Sequence, residues 1–539
     1  MDRSGTPSRS DPWDERAAPP ISVGADRPGH REHLSTIARG GLLNLIGAIA
    51  SGVLSFILVV IITRGLGAKG AGAFFVAIAL FSLVSKTLEL GADTGLVRAI
   101  SRFRALERVQ DLRRTLAIAL VPVLVAGSVA ATLVFVNAQE LAAVFAKGSA
   151  PGEVAPLLRT LALFLPIASA YTVILAATRG FGTMVPSVLI DRVGRPTLQP
   201  ILVLGTLLAG LGTTAVVLAW AGPIGLGFVV AGAWLGVLVR RTEREAAPEL
   251  GPPRERRVLA ARFWRFTAPR GLAGFFQVAI VWIDTLLIGA LRSTREAGIY
   301  AAATRYTLIS TFALTAVIQV MGPKISELIA RRDHEASQSV YQVSTGWLVL
   351  LTWPVNFTIV LFTPILLSLF GRGFAAGDTP LLILGFAMFV ATAVGPVDVV
   401  LLMAGKSSWN LINTLVALVL NVTLNLILIP PLGITGAAIA WAVSIITNNV
   451  LPLAQTWRSL RLHPFGSGFR LAVAITSIAF GCVGLLVRLS LGQTATAFVI
   501  YTATSAAVYL ALLWHFRDGL DLSVIRGVLR ARSAPQPDG

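Results

Sequence analysis

The sequence predicts an all-α polytopic membrane protein with about 14 transmembrane helices, built as two six-helix bundles in parallel repeat plus two C-terminal helices. Composition, the number of apolar stretches and an internal repeat support this prediction. Hydrophobic residues make up 55% of the 539 residues, charged residues only 13%, and the mean hydropathy is +0.75. Soluble domains carry about 25% charged residues, so a soluble fold is excluded.

Apolar stretches long enough to cross a membrane recur along the whole chain. A spanning helix needs about 20 mostly apolar residues. We identify fourteen such stretches, the first over about residues 41–63 and the others centred near residues 85, 125, 168, 205, 226, 280, 310, 356, 391, 420, 444, 480 and 505. This count is the basis of the predicted topology.

The net charge of +18 is explained by topology. If the N-terminus is cytoplasmic, the inside segments hold 35 of the 45 Lys and Arg residues and the outside loops hold 7. Cytoplasmic loops of membrane proteins are enriched in Lys and Arg, so both termini are predicted to be cytoplasmic and the chain multi-pass in the cytoplasmic membrane. A nucleic-acid partner is therefore not expected.

An internal repeat divides the predicted spans. Leu211–Ala221 reads LGTTAVVLAWA and Leu432–Ala442 reads LGITGAAIAWA, identical at six of eleven positions and 221 residues apart. A weaker match relates AGAFFVAIA from Ala71 to AGIYAAATR from Ala297, at an offset of 226. Because each unit holds an even number of helices, both halves have the same orientation and a pseudo-twofold axis runs along the membrane normal.

The repeat and the charge pattern predict the domain boundaries. We expect, in chain order, a disordered cytoplasmic N-tail (1–35), an N-terminal six-helix bundle (36–239), a basic cytoplasmic linker with an amphipathic stretch (240–267), a C-terminal six-helix bundle (268–456), helices 13 and 14 (470–516) and a cytoplasmic C-tail (517–539). The amphipathic stretch ARFWRF either lies on the cytoplasmic membrane face or is simply part of a linker.

Three ionisable residues share one face of the second span. Lys86, Glu89 and Asp93 follow one another at spacings of three and four, and charges inside hydrocarbon are costly enough to suggest a function. We predict Lys86 as a phosphate-binding residue of a substrate cavity and Glu89 as a candidate for ion coupling. The alternative is a self-neutralised Lys86–Glu89 pair that only holds neighbouring helices in register.

Other charged residues lie in the seventh, eighth and tenth spans. Asp284 and Arg305 fall at similar depth on adjacent antiparallel helices, so a salt bridge or a charged cavity rim is open to them. We predict Arg305 as a second phosphate-binding residue, with Asp284 and Asp398 as further ion-coupling candidates. Arg159, Asp191, Arg192 and Arg195 lie near predicted helix ends and are expected to reach water instead.

Asparagines are concentrated in the eleventh and twelfth spans. Asn413, Asn421 and Asn425 are predicted to line the cavity and to bond sugar hydroxyls. The alternative is that each amide bonds across neighbouring helices.

Enzyme signatures are largely absent. The string AGKSS at Ala404–Ser408 lacks the earlier glycine of a phosphate-binding loop, since Val400 stands there. The single cysteine, Cys482, excludes an intrachain disulfide and any multi-cysteine metal site. We predict a non-enzyme without cofactor or metal, with no catalytic residues.

Four segments resemble a known family. The run NLIGAIASGVLSFILVVIITRGLGAKGAGAFF from Asn44 and LELGADTGLVRAISR from Leu88 are similar to the N-terminal signature of bacterial polysaccharide flippases of the Wzx type. IDTLLIGALRSTREAGIYAAATR from Ile283 and IPPLGITGAAIAWA from Ile429 are similar to later segments. These flippases belong to the multidrug/oligosaccharidyl-lipid/polysaccharide exporter superfamily, and the resemblance covers residues 36–460 in order.

The resemblance implies a MATE-like fold and a function in cell-envelope polysaccharide biosynthesis. Two bundles would enclose a cavity that alternates between the two faces and carries a polyprenyl-pyrophosphate-linked oligosaccharide outward. It also implies membrane lipids, a polysaccharide polymerase and glycosyltransferases as partners. A lipid II-type flippase and an ion-coupled multidrug antiporter remain as alternatives, although the first span has neither the acidic residue nor the bending proline common in drug exporters. A polytopic glycosyltransferase or polymerase is a further alternative, disfavoured because no outside loop is long enough for a catalytic domain.

Overall fold

A computed structural model describes residues 30–106, 108–245, 255–517 and 519–520, with side chains from residue 47 onward except at positions 316 and 320. All regular elements within these residues are helices, and no strand occurs among them. The predictions for residues 1–29, 246–254 and 521–539 lie outside the described residues.

The helices fall into three groups in chain order. The first half contains α1 (His30–Leu88), α2 (Ala92–Ala105), α3 (Leu112–Val136), α4 (Ala138–Phe145), α5 (Pro151–Gly180), α6 (Arg195–Leu208) and α7 (Thr213–Glu245). The second half contains α8 (Arg256–Leu291), α9 (Thr294–Ala303), α10 (Thr307–Ala330), α11 (His334–Leu361), α12 (Thr363–Ser368), α13 (Asp378–Ala393), α14 (Val397–Met403), α15 (Ser407–Leu432) and α16 (Ile434–Leu460). The last group contains α17 (Ser467–Thr476), α18 (Val483–Leu491) and α19 (Ala495–His515).

Twelve helical stretches of the described residues are long and apolar enough to cross a membrane. The predicted fold class is therefore confirmed, whereas the count of fourteen stays a prediction. Two places account for the difference. The first stretch, Gly47–Ala105, is 59 residues long and contains a non-helical residue, Gly67 (φ 64°, ψ −179°). The other is the helical stretch over residues 187–208, which carries Asp191, Arg192 and Arg195 and is not among the twelve.

The two halves meet where two glycines cross. A Cβ on Gly72 would overlap the carbonyl oxygen of Thr294, and a Cβ on Gly298 would overlap the carbonyl oxygen of Ala68. Gly72 and Gly298 are 226 residues apart, and so are Ala68 and Thr294, which is the offset of the weaker sequence match. Each contact is therefore the twofold image of the other, as expected where an element meets its own repeat on a symmetry axis.

The stronger sequence match also occupies equivalent places in the two halves. Gly212 lies directly before α7 and Gly433 directly before α16, and Trp220 and Trp441 follow at the same offset of 221. Both matched segments are thus a turn and the first turns of the last long helix of their half. The repeat predicted from sequence is consistent with the observed element order.

The amphipathic stretch belongs to α8 instead of forming a separate surface helix. Phe263 is buried, and a Cβ on Gly95 of α2 would lie 2.3 Å from the Thr267 hydroxyl and 3.0 Å from the Phe263 ring. The Phe266 ring lies between the guanidinium groups of Arg98 and Arg270, each 4.0 Å from the ring centroid. The stretch therefore packs on α2, and the predicted boundary at residue 267 falls inside a continuous helix. The predicted N-tail boundary at residue 35 likewise falls within α1, which begins at His30.

The C-terminal helices pack against α11. The Tyr501 ring of α19 stacks on Phe362 with centroids 4.7 Å apart, and its hydroxyl lies 3.0 Å from the Thr358 hydroxyl. Gly484 of α18 allows the close approach of Leu361 and Tyr501. Helices α18 and α19 are thus packed against the C-terminal end of α11 in the second half.

Candidate functional site

A cavity of about 420 Å³ lies between the two halves. Most of its wall comes from the first half, through α1, α5, the helical stretch before α6, and α7, while α8 and the turn after α9 close it from the second half. Its aromatic lining comprises Phe74, Phe75, Phe81, Tyr171, Trp220 and Trp282. Its charged lining comprises Lys86, Glu89, Asp191, Arg195 and Arg305.

Lys86 is neutralised by two carboxylates. Its Nζ lies 2.6 Å from Glu89 Oε2 and 3.1 Å from Asp93 Oδ2. The helix is interrupted between Lys86 and Asp93 by Leu90 (φ 51°) and Gly91 (φ 74°), but the turn returns Asp93 to the same side. The predicted Lys86–Glu89 pair is therefore formed, and the cluster contributes no net positive charge to the cavity.

Arg305 is the cavity's uncompensated cation. It lies in a single 3₁₀ turn, Thr304–Tyr306, between α9 and α10. Its guanidinium carbon lies 5.1 Å from the Trp282 ring centroid and 5.9 Å from that of Phe75, so it is positioned between the halves. Its Nε is buried without a hydrogen-bond partner, and no carboxylate of the described residues pairs with it. Aromatic faces stabilise a cation only weakly compared with a carboxylate.

Asp284 does not pair with Arg305. The carboxylate accepts a hydrogen bond of 2.8 Å from the Tyr300 hydroxyl and another of 2.8 Å from Asn425 Nδ2. Tyr300 and Arg305 are five residues apart, which rotates their side chains by about 140° around a helix. The tyrosine therefore faces α8, the arginine faces the cavity, and the salt bridge considered from sequence is not formed.

The asparagines lie away from the cavity wall. Asn413 and Gln455 exchange two hydrogen bonds of 2.8 Å, which join α15 to α16. Asn425 donates both to Asp284 and, at 2.9 Å, to the backbone oxygen of Asn421. Asn413 and Asn425 thus bond across neighbouring helices, as in the alternative considered for the amides, whereas their contact with sugar hydroxyls stays a prediction. The side-chain oxygens of Asn421 and Asn425 are buried without partners.

Asp398 lies apart from both groups. It is the second residue of α14, two positions after Pro396, and its Oδ1 is buried without a hydrogen-bond partner. It is absent from the wall of the cavity. The structure therefore brings Lys86, Glu89 and Arg305 together, and separately Asp284, Asn421 and Asn425.

Sequence reasoning missed Asp191 and Arg195 as cavity residues. Arg195 Nε lies 3.0 Å from Asp191 Oδ1, and Tyr171 Oη donates to the same oxygen at 3.2 Å. Asp191 lies in a π-helical segment, Ser187–Gly194, a feature frequent at functional sites. The signal in the sequence was an aspartate followed four residues later by an arginine between two apolar runs.

Comparison with known proteins identifies the family. The model of a family described as "Polysaccharide biosynthesis protein" matches residues 37–329, more than half of the chain. The chain belongs to this family. The resemblance seen in the sequence is thereby confirmed.

Two curated relatives are from Haloferax volcanii. The probable low-salt glycan biosynthesis flippase Agl15 is 28% identical over 188 residues, covering 35% of this chain and 39% of the relative. The probable flippase AglR is 27% identical over 263 residues, covering 45% of this chain and 52% of the relative. The chain thus spans about two fifths to one half of the length of the curated relatives it matches.

Two solved structures are similar in fold. The structure described as "Lipid II flippase MurJ, inward closed conformation" has a TM-score of 0.69 at 14% identity, covering 88% of this chain and 99% of that one. An inward-facing multidrug resistance MATE family transporter of the MOP superfamily has a TM-score of 0.65 at 16% identity, covering 76% and 94%. At these identities the likeness establishes a shared fold and no more.

Proposed function

We propose that this family member is a flippase that moves a polyprenyl-pyrophosphate-linked oligosaccharide across the cytoplasmic membrane by alternating access. The sugar would occupy the cavity, while the lipid tail stays in the bilayer. Both Haloferax relatives are named as probable flippases, one of them for glycan biosynthesis, and the structure of a lipid II flippase has the same fold, which supports movement of a lipid-linked glycan. Both termini would be cytoplasmic, with membrane lipids, a polymerase and glycosyltransferases as partners.

The unpaired guanidinium of Arg305 is the observation that carries this proposal. A buried charge without a counter-ion costs several kcal/mol unless a ligand compensates it. Phosphate oxygens suit a guanidinium because its planar fork donates two parallel hydrogen bonds. The other cations of the cavity, Lys86 and Arg195, are already paired within the protein. An anionic diphosphate would therefore bind at Arg305 first.

The remaining cavity wall suits the sugar. Trp220, Trp282 and Tyr171 offer aromatic faces, and Ser82, Ser85 and Thr172 add hydroxyl groups. A volume of about 420 Å³ falls in the range of small-ligand pockets, roughly 300–1,000 Å³. Such a wall favours the reducing-end sugars over the lipid tail.

Ion coupling would involve Asp284 together with Asn421 and Asn425. The Asp284 carboxylate is buried, and the two amide oxygens near it lack hydrogen-bond partners. Oxygen groups of this kind are the usual ligands of hard cations. Glu89 is engaged by Lys86 and Asp398 lies apart, so Asp284 is the strongest of the three predicted coupling residues.

Reconstitution tests the proposed transport. The purified chain in liposomes should accelerate movement of a polyprenyl-pyrophosphate oligosaccharide from one leaflet to the other. Replacement of Arg305 by Gln should lower this rate by about 100-fold. Arg305→Lys should retain part of the rate, since an ammonium group keeps the positive charge but cannot donate the two parallel hydrogen bonds of a guanidinium. Arg295→Gln, an exposed arginine of α9 outside the cavity, is the matched control.

Two results would contradict the proposal. One is a flipping rate no higher than in empty liposomes for every polyprenyl-linked sugar tried. The other is wild-type flipping by a folded Arg305→Gln protein.

A further inference from the structure

A second cavity, of about 530 Å³, lies beyond the first along α1. On the part of α1 before Gly67, the first cavity is lined by Ser55, Leu58, Val59 and Ile62, and the second cavity continues with Thr63, Arg64, Gly67 and Ala68. Its opposite wall is the segment after α12, from Ser368 to Phe374. The two cavities thus follow one another along the same helix toward its break at Gly67.

Two arginines from different halves face this second cavity, and no carboxylate lines it. Arg64 Nε donates a hydrogen bond of 2.8 Å to the backbone oxygen of Leu369, which leaves its terminal nitrogens available. Among the described residues, neither Arg64 nor Arg372 forms an ion pair. Gly371 and Gly373 flank Arg372, and Phe370 and Phe374 continue the wall on either side of them.

An aromatic cluster separates the two cavities. Phe56 of α1 contacts Tyr306 and Phe370, with ring centroids 5.3 and 5.7 Å apart, and the latter two rings are 5.6 Å from each other. Tyr306 and Phe370 are almost fully buried. Since Tyr306 directly follows Arg305, the cluster lies between the unpaired cation of the first cavity and the arginine pair of the second.

The cations are spaced along the axis of the molecule. With 1.5 Å per helical residue and the Gly67 break as origin, Arg64, Arg305 and Lys86 lie roughly 5, 18 and 28 Å deep, taking Gly298 as level with Gly72. Under the orientation predicted from charge, the Gly67 end faces the outside. A ligand that passes Arg305 outward therefore meets Arg64 and Arg372 next.

We propose that the second cavity is an anion site that receives the pyrophosphate group of the substrate after it passes the aromatic cluster. This inference rests on the proposed function. Two guanidinium groups on opposite walls match the two phosphates of one diphosphate, and each supplies charge-assisted hydrogen bonds. Because the arginines come from different halves, the bound anion would also join the halves on this face.

Binding of inorganic pyrophosphate to the purified full chain tests this site without requiring flipping. Calorimetry would be done in an Arg305→Gln background, which removes the unpaired cation of the first cavity. We expect residual pyrophosphate binding that Arg64→Gln together with Arg372→Gln weakens about tenfold or more. Arg295→Gln, on the same face but outside both cavities, should leave the Kd within about twofold, as a change outside a site has little effect.

Two outcomes would overturn the proposal. One is a pyrophosphate Kd that the double substitution leaves unchanged. If the double variant is unstable, Arg372→Gln alone serves as the test, because Arg372 is exposed and lacks a partner in the described residues. The other is binding of glucuronate as tight as that of pyrophosphate, which would assign the arginines to a carboxylate. Neither outcome bears on whether the chain flips its substrate through Arg305.

Discussion

The two halves share a backbone plan but differ in how their charged side chains are paired. At the crossing of Gly72 and Gly298, each half presents the same contact to the other. In the cavity, however, the cations of the first half are compensated by Glu89, Asp93 and Asp191, whereas Arg305 of the second half is not. The symmetric contacts therefore join the two halves, whereas the charge pairing is asymmetric and leaves Arg305 as the cavity cation without a carboxylate partner among the described residues.

The largest effect is expected from enlarging a residue of the shared crossing. Gly298→Leu would force a side chain into the backbone of α1 near Ala68, so the halves could not approach. We expect loss of folded protein, measured as monodisperse material in detergent. Gly232→Leu on α7 is the matched control, since no atom lies within 4 Å of its Cβ position. Normal yield and stability of Gly298→Leu would show that the crossing does not hold the halves together.

A smaller effect is expected from the compensated cluster of the first half. Lys86→Met leaves Glu89 and Asp93 without their cation and should destabilise the protein by up to about 3 kcal/mol, seen as a lower thermal midpoint. The triple change Lys86→Met, Glu89→Gln, Asp93→Asn removes all three charges and should recover most of this stability. If the triple variant folds but does not flip substrate, Lys86 binds substrate directly and the contrast with Arg305 disappears.

The smallest effect is expected at the buried carboxylate of the second half. Asp284→Asn keeps the shape of the side chain and can still accept the hydrogen bond from Tyr300, so the protein should fold. Without an ion gradient, its rate of substrate flipping should be within about twofold of wild type. Stimulation of flipping by a sodium or proton gradient should be lost, because an amide cannot supply the negative charge. Asn413→Ala, in the amide pair between α15 and α16, is the control variant and should keep the gradient stimulation. Unchanged gradient stimulation in Asp284→Asn would exclude Asp284 from ion coupling.

Apolar length and the repeat were sufficient to predict the helical fold and the regions where helices turn. Gly67 and Ser293 illustrate this, since both are non-helical and lie at the repeat offset of 226. Charge inside an apolar run also pointed to Lys86 and Arg305, which line the same cavity, while their role in binding stays a prediction. These features depend on local sequence, which is why they are readable from one chain.

Partners across helices were not predictable in the same way. The orientation of Asn413 toward Gln455 depends on the rotation of α15 against α16, which no local pattern encodes. The salt bridge between Asp284 and Arg305 could be excluded only once Tyr300 and Asn425 were known to be the partners of Asp284. Asp191 and Arg195 lie near a predicted helix end, which in the sequence indicates contact with water, whereas in the structure Asp191 lies in a π-helical segment and both residues line the cavity.

The crossing of Gly72 and Gly298 would also be compatible with a homodimer of a single repeat unit. In a homodimer of one repeat unit, the contact would be one glycine against its own copy, so one residue choice would satisfy both sides at once. In the fused chain the same contact needs two separate codons to remain glycine. If the chain were divided between α7 and α8, the first half would still present Gly72 and the second half Gly298 for the same mutual contact.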